Sequence, residues 1–288
     1  MSKHLSRVSH NTRAHHMSFY REIHAVNGIA VEACIPEKEQ NVHPLLFVHG
    51  SSCGSWLWEN FMHYFAAHGW PCYALNLRGH HLSRQVADWG AVGVAAYLVD
   101  IDSVVKWIGR DLVLIGHSMG GMLVQKYSEG KNPVKLILLH TAPPFSITKQ
   151  IDFNAFLKRG REQGRIMKDS RVISDDDPQK LIGYMFDPGN VAPDVLLRVH
   201  RAMGEESARA LHEMQQVEVD AQKIKCPVYV LGFNLKKIGL EYPLDLNQEL
   251  ARYYHARDFQ IIEPGGHLFM LEKNWEAFAR LIEKWVRE

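Results

Sequence analysis

Leu112–Ser128 reads LVLIGHSMGGMLVQKYS, and its order of strand, tight turn and helix decides the fold. Leu112 to Ile115 is a short apolar run rich in branched side chains, as a buried parallel strand requires. Gly116-His117-Ser118-Met119-Gly120 follows at once, and Met122, Leu123 and Tyr127 then recur at helical spacing. A Cβ on either flank of Ser118 would collide with the neighbouring strand or helix, so glycine stands on both sides of the bend. Such a bend raises the serine hydroxyl at the carboxyl edge of the sheet and turns the first helical N–H groups to the same point. The plainer alternative is a glycine-rich strand-to-helix turn with a capping serine.

Upstream, Tyr20–Pro36 reads as two strands joined at Asn27-Gly28, a two-residue hairpin signal. Pro44–Val48 is a buried strand ending in His49-Gly50-Ser51-Ser52-Cys53-Gly54, and Trp58, Phe61, Met62 and Phe65 mark a helix that stops at Gly69. Cys72–Leu77 is the next strand, followed by Arg78-Gly79-His80-His81-Leu82-Ser83; Val94–Ile108 is amphipathic. Downstream, Val134–Leu139 is another strand, halted by Pro143-Pro144. Residues 145–225 then carry helix-like segments and no convincing strand, with Leu196, Val199 and Met203 on one stripe and Leu181, Ile182, Met185 and Phe186 crowding another. Strands resume at Pro227–Leu231 and Phe259–Ile262, separated by a helix over Leu246–Tyr254, and a closing helix buries Trp275, Phe278, Ile282 and Trp285.

This alternation predicts an α/β fold: a doubly wound, mostly parallel eight-stranded sheet with a helical cap inserted before the last two strands. The expected organisation is a disordered tail over 1–18, a core of 19–144 and 226–288, and a cap over 145–225. In such sheets ligands sit beyond the carboxyl ends of the strands. The turns at His49-Gly50, Arg78-Gly79, Ser118 and His267 all fall there.

Bulk properties narrow the function classes. Of 288 residues, 46% are hydrophobic and 23% charged, with a formal net charge of +1, so nothing favours nucleic acid or an anionic membrane. No apolar run is long enough to cross a bilayer. The first residues lack the apolar centre of a secretory signal; they are basic and free of Asp and Glu, so a transit peptide is the alternative to a frayed tail. Cys34, Cys53, Cys72 and Cys226 show no C-x-x-C spacing and read as reduced thiols of a cytoplasmic protein. The pairs His15-His16 and His80-His81 lack a third ligand at metal-site spacing, so neither a metal nor another cofactor is expected. Oligomeric state is not legible.

A serine hydroxyl attacks only when a base takes its proton. His267, in Pro264-Gly265-Gly266-His267 after the last strand, is placed to serve Ser118. The tetrahedral intermediate carries an oxyanion that needs two fixed donors, each worth about 3–4 kcal/mol. The backbone N–H groups of Met119 and Ser51 are the natural pair. His49, Trp58, His81 and His117 are assigned to substrate binding.

From about Tyr20 to its end the chain resembles the α/β-hydrolase superfamily. The likeness rests on His49-Gly50 with Trp56 and Trp58, on Arg78-Gly79-His80, on Gly116-His117-Ser118-Met119-Gly120-Gly121 and on Gly266-His267. The resemblance implies the fold and a Ser–His centre, while the superfamily spans esterases, lipases, thioesterases, lactonases, C–C-bond hydrolases, epoxide hydrolases, haloperoxidases and hydroxynitrile lyases. Two departures stand out. His81 occupies a place where relatives have glycine. The acid that orients the histidine is also missing from its usual place: counted from Gly232 the position falls on Leu235, and counted back from Pro243 on Gly239. Glu241, Asn234 and Asp245 are the candidates to replace it. The other strand end used by some relatives carries His140-Thr141, so a site with no orienting acid is the remaining option.

Three functions follow. The first is a serine esterase-type hydrolase acting on a small or medium apolar ester, thioester or lactone beneath an apolar cap. The second is a lyase, cyclase or other cofactor-free catalyst in the same pocket. The third is a catalytically silent binding protein on that scaffold.

Overall fold

The computed structural model describes residues 18–149, 165–174, 177–182, 185–234, 245–261 and 263–288. Its main sheet has eight strands: β1 (Phe19–Val26), β2 (Ile29–Pro36), β3 (Leu45–Val48), β4 (Cys72–Leu75), β5 (Val113–His117), β6 (Lys135–Leu139), β10 (Val228–Gly232) and β11 (Asp258–Ile261). They lie in the order β1-β2-β4-β3-β5-β6-β10-β11. β1, β2 and β4 pair antiparallel; every pair from β4 to β11 is parallel. The hairpin between β1 and β2 turns at Asn27 and Gly28 with φ of 51° and 80°, the two positive values that a tight primed turn demands.

Chain direction reverses beside β3. From β3 the chain moves outward to β4, then returns across β3 to β5 and continues through β6. The crevice between the carboxyl ends of β3 and β5 is therefore the topological switch point, where open α/β sheets bind ligands. The turns carrying Ser51 and Ser118 leave from those two strand ends.

Both faces of the sheet are covered. On one, α1 (Glu59–Ala67) and α8 (Trp275–Arg287) bury Phe61, Phe65, Phe278 and Trp285 against Phe47, Ile115 and Leu231. On the other, α2 (Val94–Ile108), α3 (Met119–Ser128) and α7 (Leu246–Tyr253) bury Tyr97, Ile101, Leu123 and Leu250 against Val48, Leu114 and Val230. The boundary residues set these helices. Gly109 ends α2 at φ 63°, and the Asp245 carboxylate accepts from the N–H groups of Asn247 and Gln248 to start α7.

The insert between β6 and β10 departs from the all-helical expectation. It contains α4 (Phe145–Thr148), α5 (Pro193–Ala202) and α6 (Ala208–Met214), but also a small antiparallel sheet of β7 (Arg165–Lys168), β8 (Arg171–Ser174) and β9 (Glu206–Ser207). Asp169, at φ 54°, turns the chain between β7 and β8. Leu181, Met185, Phe186, Leu196 and Val199 are buried in the same cluster as Trp58 and Phe269, so these apolar side chains fasten the insert to the sheet layer. All four cysteines are free thiols. Among the described residues no helix is long and apolar enough to cross a membrane.

Candidate active site

β5 ends at His117, and Ser118 turns the chain into α3 with φ 53° and ψ −119°, a conformation a serine rarely adopts. Bonds from both sides hold it there: Ser118 N–H donates to Leu139 O at 3.1 Å, while Ser118 O accepts from Met122 N–H at 3.2 Å and Ala142 N–H at 3.3 Å. The flanking glycines are required by contact. A Cβ on Gly116 would meet Val124 Cγ2 at 2.5 Å and Gly120 O at 2.6 Å, and one on Gly120 would strike the carbonyl oxygens of Val48 and His49. The Ser118 hydroxyl makes no capping bond to α3, and Met119 opens that helix, where N–H groups have no partner inside the helix. Strand, elbow and helix start thus follow one another in the order the sequence predicts.

The turn after β3 packs directly on the elbow. A Cβ on Gly50 would lie 3.0 Å from Ser118 Cβ and 2.9 Å from His117 Nδ1. Cys53 N–H closes the turn on Gly50 O at 3.2 Å, leaving Ser51 and Ser52 as its central residues. His49 braces it from below. Its Nδ1 donates to Gly50 O at 2.8 Å and its Nε2 accepts from Leu77 N–H at 3.1 Å. Burial drives this imidazole down to about 3, so it stands neutral, as those two bonds require.

His267 is buried, in a loop held by the insert. Gly265 N–H donates to Asp187 Oδ2 at 3.1 Å, Gly266 N–H to Glu272 Oε1 at 2.9 Å, and Leu268 N–H to Met185 O at 2.7 Å. Glu272, itself buried, also accepts from Asp187 N–H at 2.6 Å and Asn190 Nδ2 at 2.7 Å, so one carboxylate ties the loop to the insert. His117 Nε2 donates to the backbone oxygen of His267 at 2.9 Å, and the two rings lie 4.5 Å apart. The chain thereby brings His267 alongside the residue that adjoins Ser118.

Among the described residues, the two strand ends beside His267 carry no acid. After β10 stands Phe233, 5.6 Å from the His267 ring, and after β6 stands His140, 6.0 Å away and stacked on Phe233 at 4.8 Å. The His140 ring is buried, and that burial keeps it well below its usual titration range. Glu241 lies outside the described residues. Asp245 is engaged as the cap of α7, and Asn234 Nδ2 donates to Glu263 Oε1 at 2.6 Å.

The four residues assigned to substrate binding occupy different surroundings. His49 and Trp58 are wholly buried, Trp58 in the core edge-on to His117. His117 is buried and neutral, pushed down to about 4 by desolvation. His81 alone is exposed, with Nε2 at 3.8 Å from Glu32 Oε1. His117, His140 and His267 each offer a ligand atom within 4.8 Å of the others, making them the described residues able to hold a divalent transition metal. A closed tetrahedral zinc site holds its nitrogens about 3.4 Å apart, so the rings would have to draw together if that limit is reached.

Two residues are not marked in the sequence: Glu206 and Glu272. Each gains its place from partners distant along the chain, and no local spacing marks it.

Residues 45–281 match the alpha/beta hydrolase family. Over 112 residues the chain is 33% identical to a non-heme chloroperoxidase of Streptomyces lividans, covering 36% of this chain and 38% of that protein. The chain thus matches little more than a third of that relative's length. Among solved structures, a thermophilic esterase from Thermogutta terrifontis superposes with a TM-score of 0.67 at 19% identity, covering 93% of this chain and 98% of that one. Tomato methylketone synthase I, complexed with 2-tridecanone, gives a TM-score of 0.65 at 14% identity over 86% of this chain and 99% of that one. Those two likenesses are of fold. With the family match extending over most of its length, the chain belongs to the alpha/beta hydrolase family.

Proposed function

We propose that this chain is a serine hydrolase acting on a small or medium apolar carboxylic ester, thioester or lactone. The observation that carries the reading is the elbow: Ser118 at φ 53°, uncapped, at the mouth of α3 and against the Gly50 turn. Ser118 Oγ attacks the carbonyl carbon while its proton passes to His267. The oxyanion is held by the N–H groups of Ser51 and Met119, and the leaving group departs with the proton from His267. Water then enters by the reverse path and releases the acid. Turnover of short-chain p-nitrophenyl esters tests this, with loss in both Ser118→Ala and His267→Ala as the expected result.

A second reading is favoured by Phe233 and His140 at the strand ends beside His267. A histidine set among aromatic rings also suits a lyase or another cofactor-free reaction, and the tomato synthase has this fold without being named a hydrolase. Glu241→Gln separates the two. A loss of about a hundredfold or more makes Glu241 the orienting acid, and an unchanged rate removes it from the site.

A further inference from the structure

Glu206, on β9 of the insert, is a carboxylate that the proposed chemistry does not use. It is fully buried and accepts four hydrogen bonds. Oε1 takes Tyr97 OH at 2.6 Å and Ser207 N–H at 2.8 Å; Oε2 takes His80 Nε2 at 3.1 Å and Ser52 N–H at 3.1 Å. A carboxylate has about four lone-pair sites, so all are filled. Burial alone would raise its pKa, but the His80 charge and these bonds outweigh it and bring Glu206 to about 2. The same contact raises His80, so the two stand as a buried ion pair.

Ser52 is the informative partner. Its carbonyl accepts Gly204 N–H at 2.9 Å, so both backbone polar groups of Ser52 are taken by residues 204–206 of the insert. Ser52 is the third residue of the turn that Cys53 N–H closes on Gly50 O, and its φ is 61°. That position of a four-residue turn favours glycine or asparagine when φ is positive, and a serine placed there is strained. Turning over the peptide between Ser51 and Ser52 would relieve the strain by returning Ser52 to negative φ. It would also take the N–H from Glu206 Oε2 and turn the Ser51 carbonyl towards a carboxylate, which is repulsive.

We propose that Glu206 is a positioning residue: by holding the Ser52 amide it locks the strained turn that presents the Ser51 N–H to the oxyanion. This role rests on the hydrolase reading of Ser118 and Ser51. It makes the insert part of the oxyanion machinery, so that docking of β9 and assembly of the hole are one event.

The test compares Glu206→Gln with Tyr97→Phe, which removes a bond on the other oxygen and leaves the Ser52 contact intact. Each variant is assayed with p-nitrophenyl butyrate and with an alkyl boronic acid, which mimics the tetrahedral state. Glu206→Gln is expected to lower kcat about thirtyfold or more, to leave KM within threefold and to weaken boronate binding in proportion. Tyr97→Phe is expected to stay within threefold in all three. Adding Ser52→Gly to Glu206→Gln restores at least fivefold in kcat, because glycine keeps φ near 60° unaided. Equal losses in Glu206→Gln and Tyr97→Phe, or an unchanged boronate affinity, would reduce Glu206 to a packing role and overturn the proposal. Hydrogen exchange of the wild-type Ser52 amide needs no variant: protection on a par with the central strands is expected, and exchange as fast as an open loop overturns it. A wild type that neither turns over esters nor acylates Ser118 sinks the hydrolase reading together with this role. One that does both while Glu206→Gln matches Tyr97→Phe sinks this role alone.

Discussion

Gly50 and Ser118 meet so closely that a β-carbon on Gly50 would lie 3.0 Å from Ser118 Cβ. The Gly50 turn and the Ser118 elbow therefore have one relative placement, set by the missing side chain. Gly50→Ala is expected to leave the fold intact by circular dichroism. It pushes the Ser51 amide outward, and kcat for p-nitrophenyl butyrate is expected to fall about a hundredfold, the order of losing one oxyanion donor. Full activity in Gly50→Ala would show that the two turns are not in register.

Gly120 answers to stability first. A Cβ there points into the carbonyl oxygens of Val48 and His49, which are backbone atoms at the end of a central strand and cannot step aside. Gly120→Ala is expected to cost about 3 kcal/mol, read as a shift of the urea midpoint.

The buried imidazoles set the acid limit. His49 is pushed down to about 3, His117 to about 4 and His140 well below its usual 6.5, each first of all by burial. A group with a lowered imidazole pKa contributes stability that is present above 6.5 and lost as the pH falls, because the unfolded chain binds the proton and the folded chain does not. Each costs about 1.4 kcal/mol per pH unit below that point. His80 works in the opposite sense, since its pKa is raised and its contribution fades only as the pH climbs. The Glu206 part of that pair is lost only below about pH 4.5, where the unfolded carboxyl protonates. Urea unfolding at pH 7, 6 and 5 should show a steep fall in stability. In His140→Phe the slope is expected to be shallower by about 1.4 kcal/mol per unit, and an unchanged slope would mean that His140 titrates freely in the fold.

Glu272 holds the histidine loop. Replacing it by alanine strands the N–H groups of Gly266 and Asp187 in a buried place. The expected cost is about 3 kcal/mol, and kcat should drop about tenfold as His267 loses its footing. Glu272→Gln keeps an acceptor and should recover most of both, which differential scanning calorimetry and ester assays would check.

The central strand, elbow and helix were legible because three local requirements coincide in Leu112–Ser128: a buried run, glycines at a forced bend and a helical stripe. Val94–Ile108 is helical over the same residues that its apolar spacing marks. The β5 strand runs on through Gly116 and His117, past the apolar run, since pairing with β6 extends to Leu139. The insert was harder. Its strands are short, β9 has only two residues, and their pairing joins Val172 to Glu206 across a long loop. The supports of the site were hidden for the same reason: Glu206 reaches His80 over 126 residues and Ser52 over 154. No local pattern encodes a carboxylate whose four donors come from three distant segments and its own neighbour. His140 is the opposite case, plain in sequence at the end of β6, its meaning given only by the rings of Phe233, His267 and Phe269 around it.

The most direct measurement is mass spectrometry of the protein quenched in acid during turnover of p-nitrophenyl butyrate. The account predicts one butyryl group per chain, carried on the peptide that contains Ser118, accumulating in a burst and absent from Ser118→Ala. Sustained turnover with no acyl group on the protein, or with the group on any other residue, would contradict it.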